Sequence, residues 1–402
     1  MQSLSTPRAG LIEYSLRGPL MTRGGIIFAM PTAEKLIGAQ TANELADAIR
    51  AASPKQKLPA LESAAGQLEG LPLRQRSDLL RDALLVDIGQ DYQALASIIR
   101  KAAAGDESFK GWMMWPVTSA VAESAVADGE DEALDDALQL LRELTPRLSS
   151  EFAIRSLLRK DLDRALETIF GAWLVNSDEH VRRLASEGTR PYLPWAVRVP
   201  GILQNPECTV PILDALYRDD SEYVRRSVAN HLNDLSRDHS ELVVEIAGRW
   251  MSDPDVNTQK VVSHGLRTLI KKGNPAALEL MGFSAANISA TDLKLDKSVV
   301  VIGDAITFSA ELTNAGESEA NLAIDYVVHH RKANGKTTGK VFKLAVRKIA
   351  PDAETVVEKK HSFRVISTRR YYPGIHAIEL MVNGVSVGQA EFELVADEVT
   401  SP

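Results

Sequence analysis

The chain has 402 residues, and at roughly 150 residues per domain this length suggests two or three domains. With 45% apolar and 25% charged residues it has the makeup of an ordinary globular protein, and its net charge of −8 excludes a uniformly basic polyanion binder, leaving only local clusters of Lys and Arg for that role. The single cysteine, Cys208, excludes an internal disulfide framework and reads as a small buried hydrophobe in a reducing, cytoplasmic setting; no Cys/His spacing suits zinc, and no apolar run reaches the length of about 18 residues that spans a membrane.

Residues 1–30 contain one apolar patch, Gly24 to Met30, too short and poorly flanked for a signal peptide. They read as a disordered extension ahead of a possible start at Met30. From Ala33 to Ala52, Leu36, Ile37, Leu45, Ala48 and Ile49 recur at helical spacing before the Ser53-Pro54 break. Further helical runs follow from Leu58 to Gly70, Arg74 to Ile88 and Tyr92 to Ala104, with no strand signal between them. Gly111-Trp112-Met113-Met114-Trp115-Pro116 opens another helix, with Pro116 suited to its first turn. The acidic stretch Asp128 to Asp136 suits the positive end of the next helix dipole.

Between Ser150 and Asp234 a Glu is followed four residues later by an Arg in three places: Glu151 and Arg155, Glu179 and Arg183, Glu222 and Arg226. On a helix that spacing predicts ion pairs on one face. Val181 and Val224 lie about 43 residues apart, the period of stacked helix pairs of the HEAT or armadillo type. Such stacking predicts a column of arginines along a concave surface. Arg182 and Arg225 double the column, beyond what pairing requires, so phosphate contact is expected of at least one member of each doublet. Pro191, Pro194, Pro200 and Pro206 mark an irregular connection carrying Arg190 and Trp195, a natural edge beside the groove; Trp173 reads as core. His180, and Asn230, His231 and Asp234 on the next helix, are further groove candidates, although a lone helical His more often packs. The last repeat runs through Glu241–Trp250 and Asn257–Lys272 to the stop at Gly273-Asn274-Pro275.

From Leu293 the apolar period becomes two, as in Ile306, Phe308, Ala310, Leu312 and again Leu322, Ile324, Tyr326, Val328. Turn signals at Asn314-Ala315-Gly316, Asn334-Gly335, Pro351-Asp352, Pro373-Gly374 and Asn383-Gly384 separate about seven strands of an immunoglobulin-like sandwich. The expected fold is therefore multidomain α + β: an α-solenoid of HEAT-like repeats over residues 31–285, then an all-β immunoglobulin-like sandwich over 290–397. Acid-free basic stretches hold Lys336, Lys340 and Lys343, and later Arg369 and Arg370. They read either as edge protection or as a polyanion-facing end.

The runs DEHVRRLASEGTRPYLPWA (178–196), DDSEYVRRSVANHLNDLSRDH (219–239), FAIR (152–155), GWMMWPVT (111–118) and HGLRTLIKKGNP (264–275) resemble the AlkC branch of the HEAT-like-repeat DNA alkylation repair glycosylases. KANGKTTGKVFKL (332–344) and TRRYYPGIH (368–376) resemble the immunoglobulin-like C-terminal domain that many AlkC proteins carry. The resemblance spans about Pro31 to Leu394. It implies hydrolysis of the N-glycosidic bond of cationic alkylated bases, such as 3-methyladenine and 3-methylcytosine, in duplex DNA that is bent but not flipped into a deep pocket. It implies no metal and no cofactor; the chain is expected to act as a monomer, away from membranes, on DNA carrying alkylated bases.

In that family an aromatic and a carboxylate lie four residues apart on one helix. Here Trp115 takes the aromatic position and Ser119 the acid position, in WPVTS. Glu123, one turn further on, is either the replacement carboxylate or a solvated helix residue, and Glu151 is a second candidate. Two other readings stand beside the enzyme: a weak or inactive paralogue that binds damaged or structured DNA, which Ser119 favours, and a protein scaffold.

Overall fold

The computed structural model describes residues 36–89, 91–283, 287–366 and 369–396. The expected extension at residues 1–30 lies outside them. Helices run from Ala39 to Leu280, and strands from Ile288 to Val395. Two separate apolar cores result, one inside the helices and one inside the strands.

Local chemistry sets the helix ends. Asp91, Asp161, Asp178 and Asn274 each turn a side-chain oxygen onto a backbone N–H of the first turn, satisfying a donor that the helix cannot. Gly129 ends the helix before it in the left-handed conformation, at φ 84°. The helices that matter for the site are α1 (Leu73–Ile88), α2 (Met114–Asp128), α3 (Ile154–Lys160), α4 (Glu179–Gly188), α5 (Glu222–Leu235) and α6 (Thr258–Gly265). They are the second members of successive repeats and pack side by side, α1 on α2, α2 on α3, α4 on α5 and α5 on α6. They form the inner row of a solenoid. The expected single helix over Asn257–Lys272 is broken at Leu266 into Thr258–Gly265 and Arg267–Lys271.

The strands form a four-stranded and a five-stranded sheet, more than the seven strands expected because short edge segments also pair. Burial alternates strictly along Ala305–Asn314, which buries Ile306, Phe308, Ala310 and Leu312. Asn314 ends that strand inward, its amide donating to the carbonyls of Ser318, Ile349 and Ala350. Asn383 and Gly384 both take positive φ, 47° and 76°, the requirement of a two-residue hairpin turn. Gly384 also meets the solenoid: a Cβ added to it would lie 2.1 Å from the Cα of Gly273. The Asn321 amide adds a hydrogen bond to the Gly282 carbonyl, 3.1 Å. Backbone thus lies against backbone where the two domains meet.

Candidate active site and nucleic-acid interface

Helix α2 is buried along nearly all its length, and Ser119 and Glu123 are its half-buried interruption. One turn earlier, Trp115 is 4% exposed and stacks on Phe152 at a 4.2 Å centroid distance and 19° between planes. Trp112 leans on the same indole at 6.3 Å. Trp115 therefore has one face covered, and the partly exposed ring beside it is Phe152. One helix turn beyond Phe152, the Ser156 hydroxyl donates to the Glu123 carboxylate at 2.8 Å. Among the described residues Glu123 meets a hydroxyl and no cation. Helices α2 and α3 thus match ring to ring and hydroxyl to carboxylate along their common edge.

Glu151, directly before Phe152, has a different setting. Its carboxylate is ion-paired with Arg183, and the two side chains are 13% and 14% exposed. Arg183 also bonds the Ser149 hydroxyl at 2.9 Å, approaches Glu187 at 3.4 Å and lies over the Tyr223 ring at 5.0 Å. Burial works against the charge on Arg183, but the Glu151 and Glu187 carboxylates more than offset it and hold the guanidinium protonated. Tyr223 is 36% exposed and meets His180 edge-on at 5.6 Å. The repeat position after each Glu is thus a ring: Phe152, His180, Tyr223. Of these, sequence reasoning named only His180 as a residue that could face DNA, although the recurrence of all three beside the Glu column was visible.

The arginine column is corrected in most of its members. Of the expected pairs within one helix, Glu222 and Arg226 come within reach, at 3.9 Å. Glu151 turns to Arg183 of the following repeat, and Glu179 accepts from the Ser221 hydroxyl of the next. The charges join repeats rather than turns. Arg182 grips Asp219 with two bonds, 2.6 and 3.0 Å, and also donates to the Asn176 and Ser177 carbonyls. Arg225, its equivalent one repeat on, donates in the same way to the Asp219 and Asp220 carbonyls. This member of each doublet staples its own loop, so the expectation of phosphate contact passes to Arg183 and Arg226, and only Arg226 keeps a substantially solvated guanidinium.

Arg155 and Arg190 are buried, contrary to an open phosphate clamp. Arg155 is 0% exposed, and its partners are the carbonyls of Val197, Gly188 and Arg190. Burial, together with Arg198 and Arg190, pulls its guanidinium down to about 10, still protonated at neutral pH. Arg190 lies between Glu187 at 2.6 Å and Asp234 at 3.0 Å. His231 is likewise corrected from the groove to the core. Its ring is fully buried between the Thr209 hydroxyl and the Ser186 carbonyl, and burial pushes it down to about 4. Asn230 accepts from Arg267 at 3.1 Å, a residue that sequence reasoning did not single out. Trp195 is half exposed in its loop.

In the sandwich, Lys340 and Lys343 stand exposed on the edge strand Thr337–Ile349, with Lys336 exposed in the turn before it. Arg369 is held inward by a hydrogen bond with the His330 ring at 3.0 Å, while Arg370 is exposed over Tyr372 at 5.4 Å. Among the described residues no group of His, Cys, Asp or Glu is placed to hold a metal ion, and no helix is long and apolar enough to cross a membrane.

A HEAT-like α-solenoid with carboxylates and rings along its inner row, followed by an immunoglobulin-like sandwich, defines the architectural class. Within it, residues 289–396 match the family described as the YhaZ C-terminal Ig-like domain. The chain is 32% identical to the protein YhaZ of Bacillus subtilis (strain 168), across 81% of this chain and 88% of that one. It superposes with a TM-score of 0.79 on the Pseudomonas fluorescens alkylpurine DNA glycosylase AlkC bound to DNA containing an abasic site analog, at 34% identity over 91% of this chain and 100% of the other. The chain belongs to the AlkC family of HEAT-like-repeat DNA glycosylases with a C-terminal immunoglobulin-like domain.

Proposed function

We propose that the protein is a monofunctional DNA glycosylase that acts as a monomer on duplex DNA carrying N-alkylated, cationic bases of the 3-methyladenine or 3-methylcytosine type, without flipping the base. The observation that carries this reading is Glu123, a half-buried carboxylate on the inner row, one turn beyond Ser119, that among the described residues meets a hydroxyl and no cation. A cationic base leaves without protonation, so the demand on the protein is to stabilise an oxocarbenium-like sugar and admit water. An unneutralised carboxylate meets both demands by electrostatics and by orienting the water. Glu151 is less suited, because Arg183 already balances its charge. Phe152, beside Trp115, and Tyr223 offer ring faces to a cation. Lys336, Lys340, Lys343 and Arg370 supply exposed cations for phosphates, and Arg226 a partly exposed one.

The AlkC relative was captured on DNA containing an abasic site analog, which supports DNA as the ligand here. Incubating the protein with duplex containing 3-methyladenine or 3-methylcytosine and measuring free base tests the proposal. Release above the spontaneous rate is expected; its absence at saturating protein overturns the enzymatic reading. Ser119 favours a second reading, a DNA-binding paralogue without activity. That reading requires damaged duplex to bind with no base released, and Ser119→Glu to create activity.

A further inference from the structure

The loop 189–199 leaves the C-terminal end of inner helix α4 and displays Trp195 in an unusual way. The indole is 50% exposed, and the backbone beneath it is left-handed, at φ 63°. A bulky L-residue adopts that region only at a cost, and the surrounding structure must over-determine it. Two arginines do so here. Arg155, buried in α3, donates Nε to the Val197 carbonyl at 2.5 Å and Nη1 to the Gly188 and Arg190 carbonyls at 2.9 Å each, gripping the loop on both sides of Trp195. Arg74, in the first turn of α1, donates Nη1 to the carbonyl of Trp195 itself at 3.3 Å, from 121 residues away.

Arg155 is a costly brace. Among the described residues it donates to carbonyls and forms no salt bridge, with Asp234 acting on it only at longer range, and its Nη2 has no hydrogen-bond partner. Such a group is retained where it holds a conformation that nothing cheaper would hold. Three residues before Trp195 in the chain, the Tyr192 ring meets the guanidiniums of Arg198 at 4.9 Å and Arg237 at 4.5 Å, and its hydroxyl donates to Asp238. Arg198 and Arg237 are exposed and, among the described residues, form no salt bridge. The loop that displays the indole thus carries a rim of exposed cations, Arg198 on the loop itself and Arg237 just after α5, with the Asp238 carboxylate among them and Arg74 of α1 at the Trp195 backbone.

We infer that Trp195 is a stacking surface for a nucleobase of the bound duplex, and that Arg155 and Arg74 are positioning residues that hold it out. An indole offers every base a π-face, while the rim cations suit the phosphates on either side. The role is independent of base identity and does not touch the glycosidic bond. It deepens the proposed function, resting on duplex DNA as the ligand.

The test uses the full chain and a duplex with an abasic-site analogue opposite 2-aminopurine, whose fluorescence reports stacking. Wild-type protein is expected to bind and to change the probe's emission. Trp195→Ala should abolish that change and weaken binding by about 5- to 100-fold, the range of one base–aromatic stack, whereas Trp195→Phe should retain most of both. Trp195→Gly should lose the signal like the alanine variant yet melt at a higher temperature than it, because glycine accepts positive φ.

Arg155→Met should diminish the probe signal although Arg155 cannot reach the DNA. Arg74→Ala, at an exposed position, provides the same reading if Arg155→Met fails to fold. A loss at Arg74 that appears only as a shallower salt dependence, with the 2-aminopurine signal intact, identifies a phosphate contact and overturns its positioning role. Unchanged affinity and emission in Trp195→Ala overturns the stacking inference while leaving the glycosylase reading in place. If wild-type protein does not bind the duplex at all, the proposed function itself falls.

Discussion

The guanidinium of Arg155 donates to the carbonyl of Val197 at 2.5 Å from a site closed to solvent, so the arginine expected to hold DNA instead holds the protein's own loop. The same redirection recurs along the inner row, where charges expected to pair within helices bind the next repeat. It separates groups that build the concave face from the few that remain free to meet a ligand.

Glu151→Gln should act mainly on structure. It leaves Arg183 with Glu187 at 3.4 Å and the Ser149 hydroxyl, and removing one partner of a mostly buried pair costs about 3 kcal/mol. Thermal denaturation should show a melting temperature several degrees lower, with residual base release per folded molecule well above that of Glu123→Gln. Equal stability of Glu151→Gln and wild type would contradict the pairing.

Arg226→Ala and Lys340→Ala should each weaken binding to undamaged and damaged duplex alike, and each should lower the slope of log affinity against log salt by about one unit. Arg182→Ala should instead lower stability, because its bonds run to Asp219 and to the loop carbonyls. Titrations at several salt concentrations distinguish the two outcomes.

Acid should destabilise the fold before most carboxylates titrate. Burial depresses His231, His264 and His361 to about 4 and His330 to about 3, the ring of His264 also lying near Arg267 and Arg226. In the unfolded chain these rings protonate near 6.5. Between about 6.5 and 4 the unfolded state therefore binds more protons, and stability falls as pH falls, by up to about 1.4 kcal/mol per unit for each fully neutral ring. Above 6.5 these groups contribute no slope. A melting temperature flat from pH 7 to 5 would contradict their burial as neutral rings.

Gly384→Ala should part the domains without unfolding either. Both Gly384 and Gly273 sit at positive φ, and a Cβ at 384 would lie 2.1 Å from the Gly273 Cα. Limited proteolysis between Gly273 and Ile288 should become faster by severalfold while helix and strand content by circular dichroism stays unchanged. Unaltered cleavage would show that the seam does not join them.

The fold was legible because its signals are local. Asn383-Gly384 announces a hairpin, the Ile306-to-Leu312 alternation announces a half-buried strand, and the Val181–Val224 interval announces a repeat. The site was less legible because the partner of a charged side chain is set by the next repeat. Glu179 and Arg183 have the spacing of a pair, yet Ser221 and Glu151 lie closer in space. Nor does the sequence distinguish a buried arginine from an exposed one: Arg155 and Arg226 follow the same Glu spacing, one closed to solvent and the other open. Phe152 and Tyr223 carry no charge, so the Glu–Arg spacing does not mark them; only their recurrence with His180 beside the Glu column does.

Base release from duplex DNA containing 3-methyladenine, compared at saturating protein between wild type and Glu123→Gln, decides whether Glu123 is the catalytic carboxylate. Wild type is expected to release the base and the variant to do so about 10²- to 10³-fold more slowly, the effect of removing one preorganised electrostatic group, with DNA affinity retained. Equal rates would contradict the assignment of Glu123, and no release from either would contradict the enzyme.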